Sequence, residues 1–180
     1  KYVNSPQTRV FDKSGTLFAI DRAAPNIRKL DTAIVMEGYM DVITAHQHGI
    51  TNAVAAMGTA ITETQVTILK KLSRNLVLAM DADAAGEEAM LRTVAHENVR
   101  GAEIRVIVLP EGRDPDDVIR ESSSEWEKLA AASLPLLDFL FSRTTAGLDL
   151  TTAKDKSKTA ERLMPGIAGM KEPIRQTHYL

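Results

Sequence analysis

Four short apolar runs, at residues 33–36, 52–56, 76–80 and 104–109, punctuate the chain, and helix-period stretches separate them. Each run is nearly continuous in apolar residues rather than alternating, so the strands they form are covered on both faces, as in a parallel sheet. Segments 39–48, 62–72 and 84–99 supply the crossover helices, which makes the region from Asp31 onward a succession of βαβ units. Segment 62–72 has its own start signal: Thr62 and Gln65 stand at capping-box spacing, and Ile61 is placed to staple against Val66. The expected fold class is α/β, a parallel four-stranded sheet flanked by helices and followed by a small helical subdomain.

That subdomain begins after Arg113, where strand-like runs cease and residues 116–180 divide into short helices at Pro135, Gly147, Pro165 and Pro173. Its apolar stretch 134–141 serves as local core or covers the edge of the sheet. Trp126 is expected to pack in this helical lobe. Residues 1–30 read as irregular, the tail of another subdomain, with turn signals at Ser5-Pro6 and Ser14-Gly15 and a run at 17–20 compatible with a strand.

With 180 residues, 44% apolar and 4% aromatic, the chain can bury one good core with a second small lobe. It has no cysteine, which excludes disulfides and thiolate zinc sites and fits a reducing cytoplasm. No apolar stretch approaches the roughly 20 residues that cross a bilayer, so no membrane is expected as a partner. The formal net charge of -2 argues against a freestanding duplex-binding module, which needs a surplus of Lys and Arg. A start at Lys1 and an end at His178-Tyr179-Leu180 read as the limits of a piece excised from a longer protein.

The chemistry-bearing residues stand where these strands end. Glu37 directly follows the run at 33–36 and Asp81 the run at 76–80, and ligands bind at the carboxyl ends of strands in an open parallel sheet. Asp83 lies two residues past Asp81, so an extended step puts both side chains on one side, and Gly86 then permits a tight turn. Converging carboxylates repel one another unless a cation neutralises them, and hard oxygen ligands suit magnesium or manganese. A further acidic segment, Asp114-Pro115-Asp116-Asp117, follows the fourth strand. Helix capping alone accounts for it, with Asp114 as N-cap, Pro115 in the first turn and the other two acids complementing the dipole, although its place after a strand end also fits a site.

This set resembles the Toprim fold of DnaG-type primases, type IA and type II topoisomerases, small nucleases and recombination proteins: Glu37-Gly38 matches its glutamate and Asp81-Ala82-Asp83 its D-x-D pair. The blocks Glu37-Gly38-Tyr39-Met40-Asp41-Val42, Met57-Gly58-Thr59-Ala60 and Arg113-Asp114-Pro115-Asp116, with the opening Lys1-Tyr2-Val3-Asn4-Ser5-Pro6, are similar to bacterial DnaG-type primases over residues 1 to about 145. The resemblance implies a primase core that joins ribonucleotides on single-stranded DNA. Its metal ligands would be Glu37, Asp81 and Asp83 with Asp41, Asp114 and Asp116 nearby, and its catalytic set Glu37, Asp81, Asp83 and Lys13. Lys1, Tyr2, Asn4, Lys13 and Tyr39 would lie near the incoming triphosphate or the template path.

The same resemblance implies Mg2+, with Mn2+ able to substitute, and zinc only in a domain outside this fragment. It implies as partners the DNA template, ribonucleoside triphosphates and a replicative helicase reached through a missing C-terminal domain. Residues 1–30 would close a basic subdomain, 31–115 form the metal-binding domain and 116–180 the helical subdomain, in a cytoplasmic enzyme of the replication fork whose isolated fragment is inactive or nearly so. One departure is Ala84, where relatives often carry a basic residue.

Competing readings have weaker support. A calcium loop fails because Arg92 stands where a bidentate glutamate belongs. A phosphatase with Asp81 as nucleophile leaves the Glu37 block without a role. His46 and His48 are two apart on a helix and face different ways, so they are not a metal pair. A strand-cleaving topoisomerase or nuclease on the same fold is the main rival, yet no strand-cleaving tyrosine motif is recognisable.

Overall fold

The computed structural model describes residues 8–9, 11–56, 61–80, 90, 93, 102–170 and 173–180, the Arg175 side chain excepted. Helix α1 (Ile20–Leu30) leads into β1 (Ala33–Met36), α2 (Tyr39–Gln47), β2 (Ala53–Ala55), α3 (Glu63–Lys70), β3 (Asn75–Ala79) and β4 (Glu103–Val106). There follow α4 (Pro115–Glu121), α5 (Ser123–Ala131), β5 (Leu134–Pro135), α6 (Leu136–Thr145), α7 (Ala153–Ala168) and α8 (Pro173–His178). The helix expected over 84–99 lies largely outside the described residues; Met90 and Thr93 within it are helical and buried.

The strands lie in the order β2-β1-β3-β4-β5. The first four are parallel, with Val35 level with Val54 and with Leu78. The fifth is an addition to the four-stranded expectation: Leu134 and Pro135 pair antiparallel with Val106 and Arg105. The Arg105 guanidinium clasps this edge, donating to the Ser133 hydroxyl at 3.1 Å and to the Ser133 carbonyl. Of the two roles open to segment 134–141, covering the sheet is the one observed.

Because side chains alternate along a strand, each run serves two cores at once. One face gathers Ala33, Val35, Val54, Leu76, Leu78, Ile104 and Val106 against α1, α3, α6 and α7. The other gathers Ile34, Met36, Ala53, Ala55, Val77 and Ala79 against Val42 and Ala45 of α2, Val118 and Ile119 of α4, and Trp126 of α5. Trp126 thus packs under the sheet, not in a lobe of its own. Covering both faces is why the runs are almost wholly apolar, with Asn52 and Arg105 as exceptions.

The run at 17–20 is not a strand. Phe18 alone bridges Ala55, with backbone bonds of 3.0 and 3.3 Å, and Ala19 then turns through a left-handed φ of 61° into α1. The helix escapes a sequence reading because only Ala23 and Ile27 are buried along it and Pro25 sits inside it. A proline there removes one backbone bond from the middle of the helix, and burial of Ile27 in the main core offsets that loss.

Candidate functional site

Strand β1 ends at Met36, and half-buried Glu37 follows at the carboxyl edge of the sheet, where the chain turns into α2. Asp41, in the first turn of α2 and only 7% exposed, accepts the Gly38 N–H on Oδ2 at 3.0 Å. Gly38 has no side chain to complete a capping box, so only this return bond forms. A Cβ at position 38 would stand 2.9 Å from that Asp41 oxygen, which is why the close approach requires glycine.

The other Asp41 oxygen accepts the Asp116 N–H at 3.3 Å, across 75 residues of chain. This bond joins the start of α2, after β1, to the start of α4, beyond β4. The N-terminal donors of α4 are then all placed: Pro115 has none, Asp116 uses Asp41, Asp117 uses the Asp114 carboxylate at 2.8 Å, and Val118 uses the Asp114 carbonyl. The Asp116 carboxylate accepts the buried Thr44 hydroxyl on one oxygen and faces Arg120 at 3.5 Å on the other.

Oxygens of Asp114, Asp116 and Asp117 lie within 4.8 Å of one another. Three carboxylates at that spacing repel, and as hard donors they fit a divalent cation of the magnesium class. Capping and this clustering coexist in one segment, since Asp114 caps α4 through one oxygen and keeps another.

A second element reaches the same region from the N-terminal side. Asp12 closes a turn by accepting the Ser14 N–H at 3.0 Å and the Ser14 hydroxyl at 2.6 Å, bonds that hold its carboxyl below the usual carboxylate range. The turn carries Lys13 and rests on the start of α3, where Thr62 donates to the Ser14 carbonyl at 2.6 Å and Gln65 to the Thr16 carbonyl at 2.7 Å. Farther on, the Phe18 ring tilts against Tyr39 at 5.8 Å. Segment 11–19 is therefore a strap from the head of α3 to the head of α2, with Lys13 and Tyr39 at its two anchorages.

Of the residues expected at the site, Asp41, Asp114 and Asp116 are brought together, Glu37 stands just before α2 in the same turn of chain as Asp41, and Lys13 and Tyr39 stand at the two ends of the strap. Asp81, Asp83, Lys1, Tyr2 and Asn4 lie outside the described residues, as does the 57–60 block. Thr44 and Arg120, which hold Asp116, carried no recognisable signal, because a threonine and an arginine on helices are ordinary until the fold makes them neighbours. His46 and His48 each meet a backbone carbonyl at 2.9 Å, those of Ala53 and Thr44.

A family model described as Toprim-like matches residues 34–119, and a second, described as the DnaB-helicase binding domain of primase, matches residues 137–180. The DNA primase of Halalkalibacterium halodurans is 34% identical across the whole chain. The chain belongs to the DnaG-type primase family. It is also similar to the crystal structure of a DNA primase domain from Pseudomonas aeruginosa, with a TM-score of 0.85 and 32% identity over 99% of this chain and 57% of that one. A DnaG primase catalytic domain bound to single-stranded DNA superposes with a TM-score of 0.83 at 29% identity, over 99% of this chain and 59% of that one. The chain spans only 30% of the length of the H. halodurans primase. A region matching a helicase-binding description thus lies within this DnaG-type chain, where the expectation had put helicase contact in a missing domain. Among the described residues no helix is long and apolar enough to cross a membrane.

Proposed function

We propose that this chain is the metal-binding part of a primase core that builds short RNA primers on single-stranded DNA by nucleotidyl transfer. The observation that carries the reading is the Asp41–Asp116 bond, which fastens the acidic segments after β1 and β4 to one another in a chain of the DnaG-type family. Glu37, Asp81 and Asp83 are the proposed ligands, with Asp41, Asp114 and Asp116 beside them, in the division 1–30, 31–115 and 116–180. Bound Mg2+, or Mn2+ in its place, would supply charge neutralisation on the phosphates and a lowered pKa for the attacking ribose 3'-hydroxyl. Glu37 accepts the proton of that hydroxyl, Lys13 and Lys1 offset triphosphate charge, and Tyr2, Asn4 and Tyr39 line the nucleotide and template path. The DNA-bound relative supports the template assignment, and the match over 137–180 supports docking of a replicative helicase there. The setting is the bacterial cytoplasm, with zinc confined to another domain.

The test uses the complete primase polypeptide containing this sequence, with a DNA template, ribonucleoside triphosphates and Mg2+. Labelled primer is expected, and Asp81→Ala or Asp83→Ala should reduce it by about 100- to 1000-fold, on the scale of losing a stabiliser of transition-state charge. The 180-residue piece alone should make no measurable primer. Cut template strands, or full priming by the Asp81→Ala protein, would overturn the reading.

A further inference from the structure

Gln65 has no exposed surface, and both ends of its amide are engaged. Its Oε1 accepts the Thr62 N–H at 3.0 Å, and its Nε2 donates to the carbonyls of Thr16 at 2.7 Å and Lys13 at 3.4 Å. Thr62 answers with its own hydroxyl, which accepts the Gln65 N–H at 3.1 Å and donates to the Ser14 carbonyl at 2.6 Å. Three carbonyls of the Lys13 turn are thereby fixed to the head of α3, across 48 to 52 residues of chain.

Capping α3 needs only the oxygen. A glutamate at this position would accept the Thr62 N–H as well and would complement the helix dipole better. What glutamate cannot do is donate, and the two donors of the amide are the part aimed at the turn. The choice of Gln at position 65 is thus explained by the strap and not by the helix.

We propose that Gln65 is a positioning residue for Lys13, holding the backbone of its turn so that the ammonium group is presented to the triphosphate. The inference rests on the reading of Lys13 as a nucleotide-binding residue. Asp12 acts on the same turn from the solvent side, through its bonds to the Ser14 N–H and hydroxyl and through its carbonyl, which accepts the Thr16 hydroxyl at 2.6 Å.

The experiment is primer synthesis by the complete polypeptide at varied nucleoside triphosphate, for Gln65→Glu, Lys13→Ala and the double variant, with thermal unfolding of each. Gln65→Glu keeps the cap and loses the donors. Its melting temperature should fall, because a buried carboxylate oxygen then faces the Thr16 carbonyl. At temperatures where the variant is folded, KM for nucleotide rises about tenfold and kcat changes far less, within the range expected when a binding group is displaced by about 1 Å. In the Lys13→Ala background the same change should add nothing, because the two residues act as one unit. Equal penalties in both backgrounds overturn the positioning role and leave Lys13 in place. Full activity of Lys13→Ala removes the Lys13 reading, and the inference with it. Should Gln65→Glu fail to fold, Asp12→Ala alters an exposed residue of the same turn, and the same KM rise and the same loss of effect without Lys13 are required of it.

Discussion

Asp41 shows what one carboxylate does when both its oxygens accept backbone N–H groups from different helices. Replacing it by asparagine keeps the shape but turns one acceptor into a donor, which then faces the N–H of Gly38 or of Asp116. The residue is buried, so the orphaned group has no water to turn to, and Asp41→Asn should lower stability by about 1–3 kcal/mol in urea unfolding. An Asn variant as stable as the parent would show that the joint between α2 and α4 carries no weight. Asp149 offers a contrast in full exposure. It accepts the Thr151 hydroxyl at 2.7 Å and the Thr151 N–H at 2.9 Å, and these bonds hold its carboxyl below the usual range. A depressed value means that the stabilising effect is complete above the unfolded-state pKa and is lost as pH falls through the folded one. Unfolding midpoints followed from pH 7 down to pH 2 should therefore separate Asp149→Asn from the parent at neutral pH and converge only below about pH 4. The position of Glu37 at the end of β1 was legible from the apolar run before it, and the capping by Asp114 from the proline and acids that follow it. The Asp41–Asp116 and Thr44–Asp116 bonds were not, since partners 75 and 72 residues apart leave no local pattern.

Elements were read from the sequence in proportion to how strongly burial imposed a period on them. Strands β1 to β3 and helices α2 and α3 lie within a residue or two of their expected bounds, because runs buried on both faces contrast sharply with amphipathic crossovers. Helix α1 was missed because its buried stripe is two residues wide, and β5 because two paired residues ahead of a helix have no period at all. Helix α3 shows a local signal with a distant purpose. Its capping box was visible, yet the same side chains also hold the turn at 13–16. Thr62→Ala therefore removes a cap and a tertiary bond together, and should cost about 1–2 kcal/mol by chemical denaturation, at or above the usual price of a lost cap. Thr62→Ser retains the hydroxyl and should recover most of that loss.

At the scale of the whole molecule, the segment after Arg113 packs on both faces of the sheet. Leu136, Leu137, Phe139 and Leu140 of α6, with Leu163 and Ile167 of α7, close the face formed by Val35, Leu76 and Leu78, while Trp126 closes the other. A chain ending at residue 132 would keep every parallel strand but lose β5 and the α6 and α7 cover, exposing an apolar face of the sheet and its β4 edge. Each buried leucine or phenylalanine withdrawn forfeits about 2–3 kcal/mol of transfer free energy, so losing four from α6 exceeds the total stability of many domains. The truncated chain should accordingly bind a dye such as ANS and lose its cooperative transition. In the intact chain, Trp126 fluorescence and far-ultraviolet circular dichroism should report one coincident transition, because tryptophan on one face and helices on the other share the same strands. A separate early transition of the helical segment, with Trp126 undisturbed and the sheet still folded, would instead establish that residues after 132 form an independent unit.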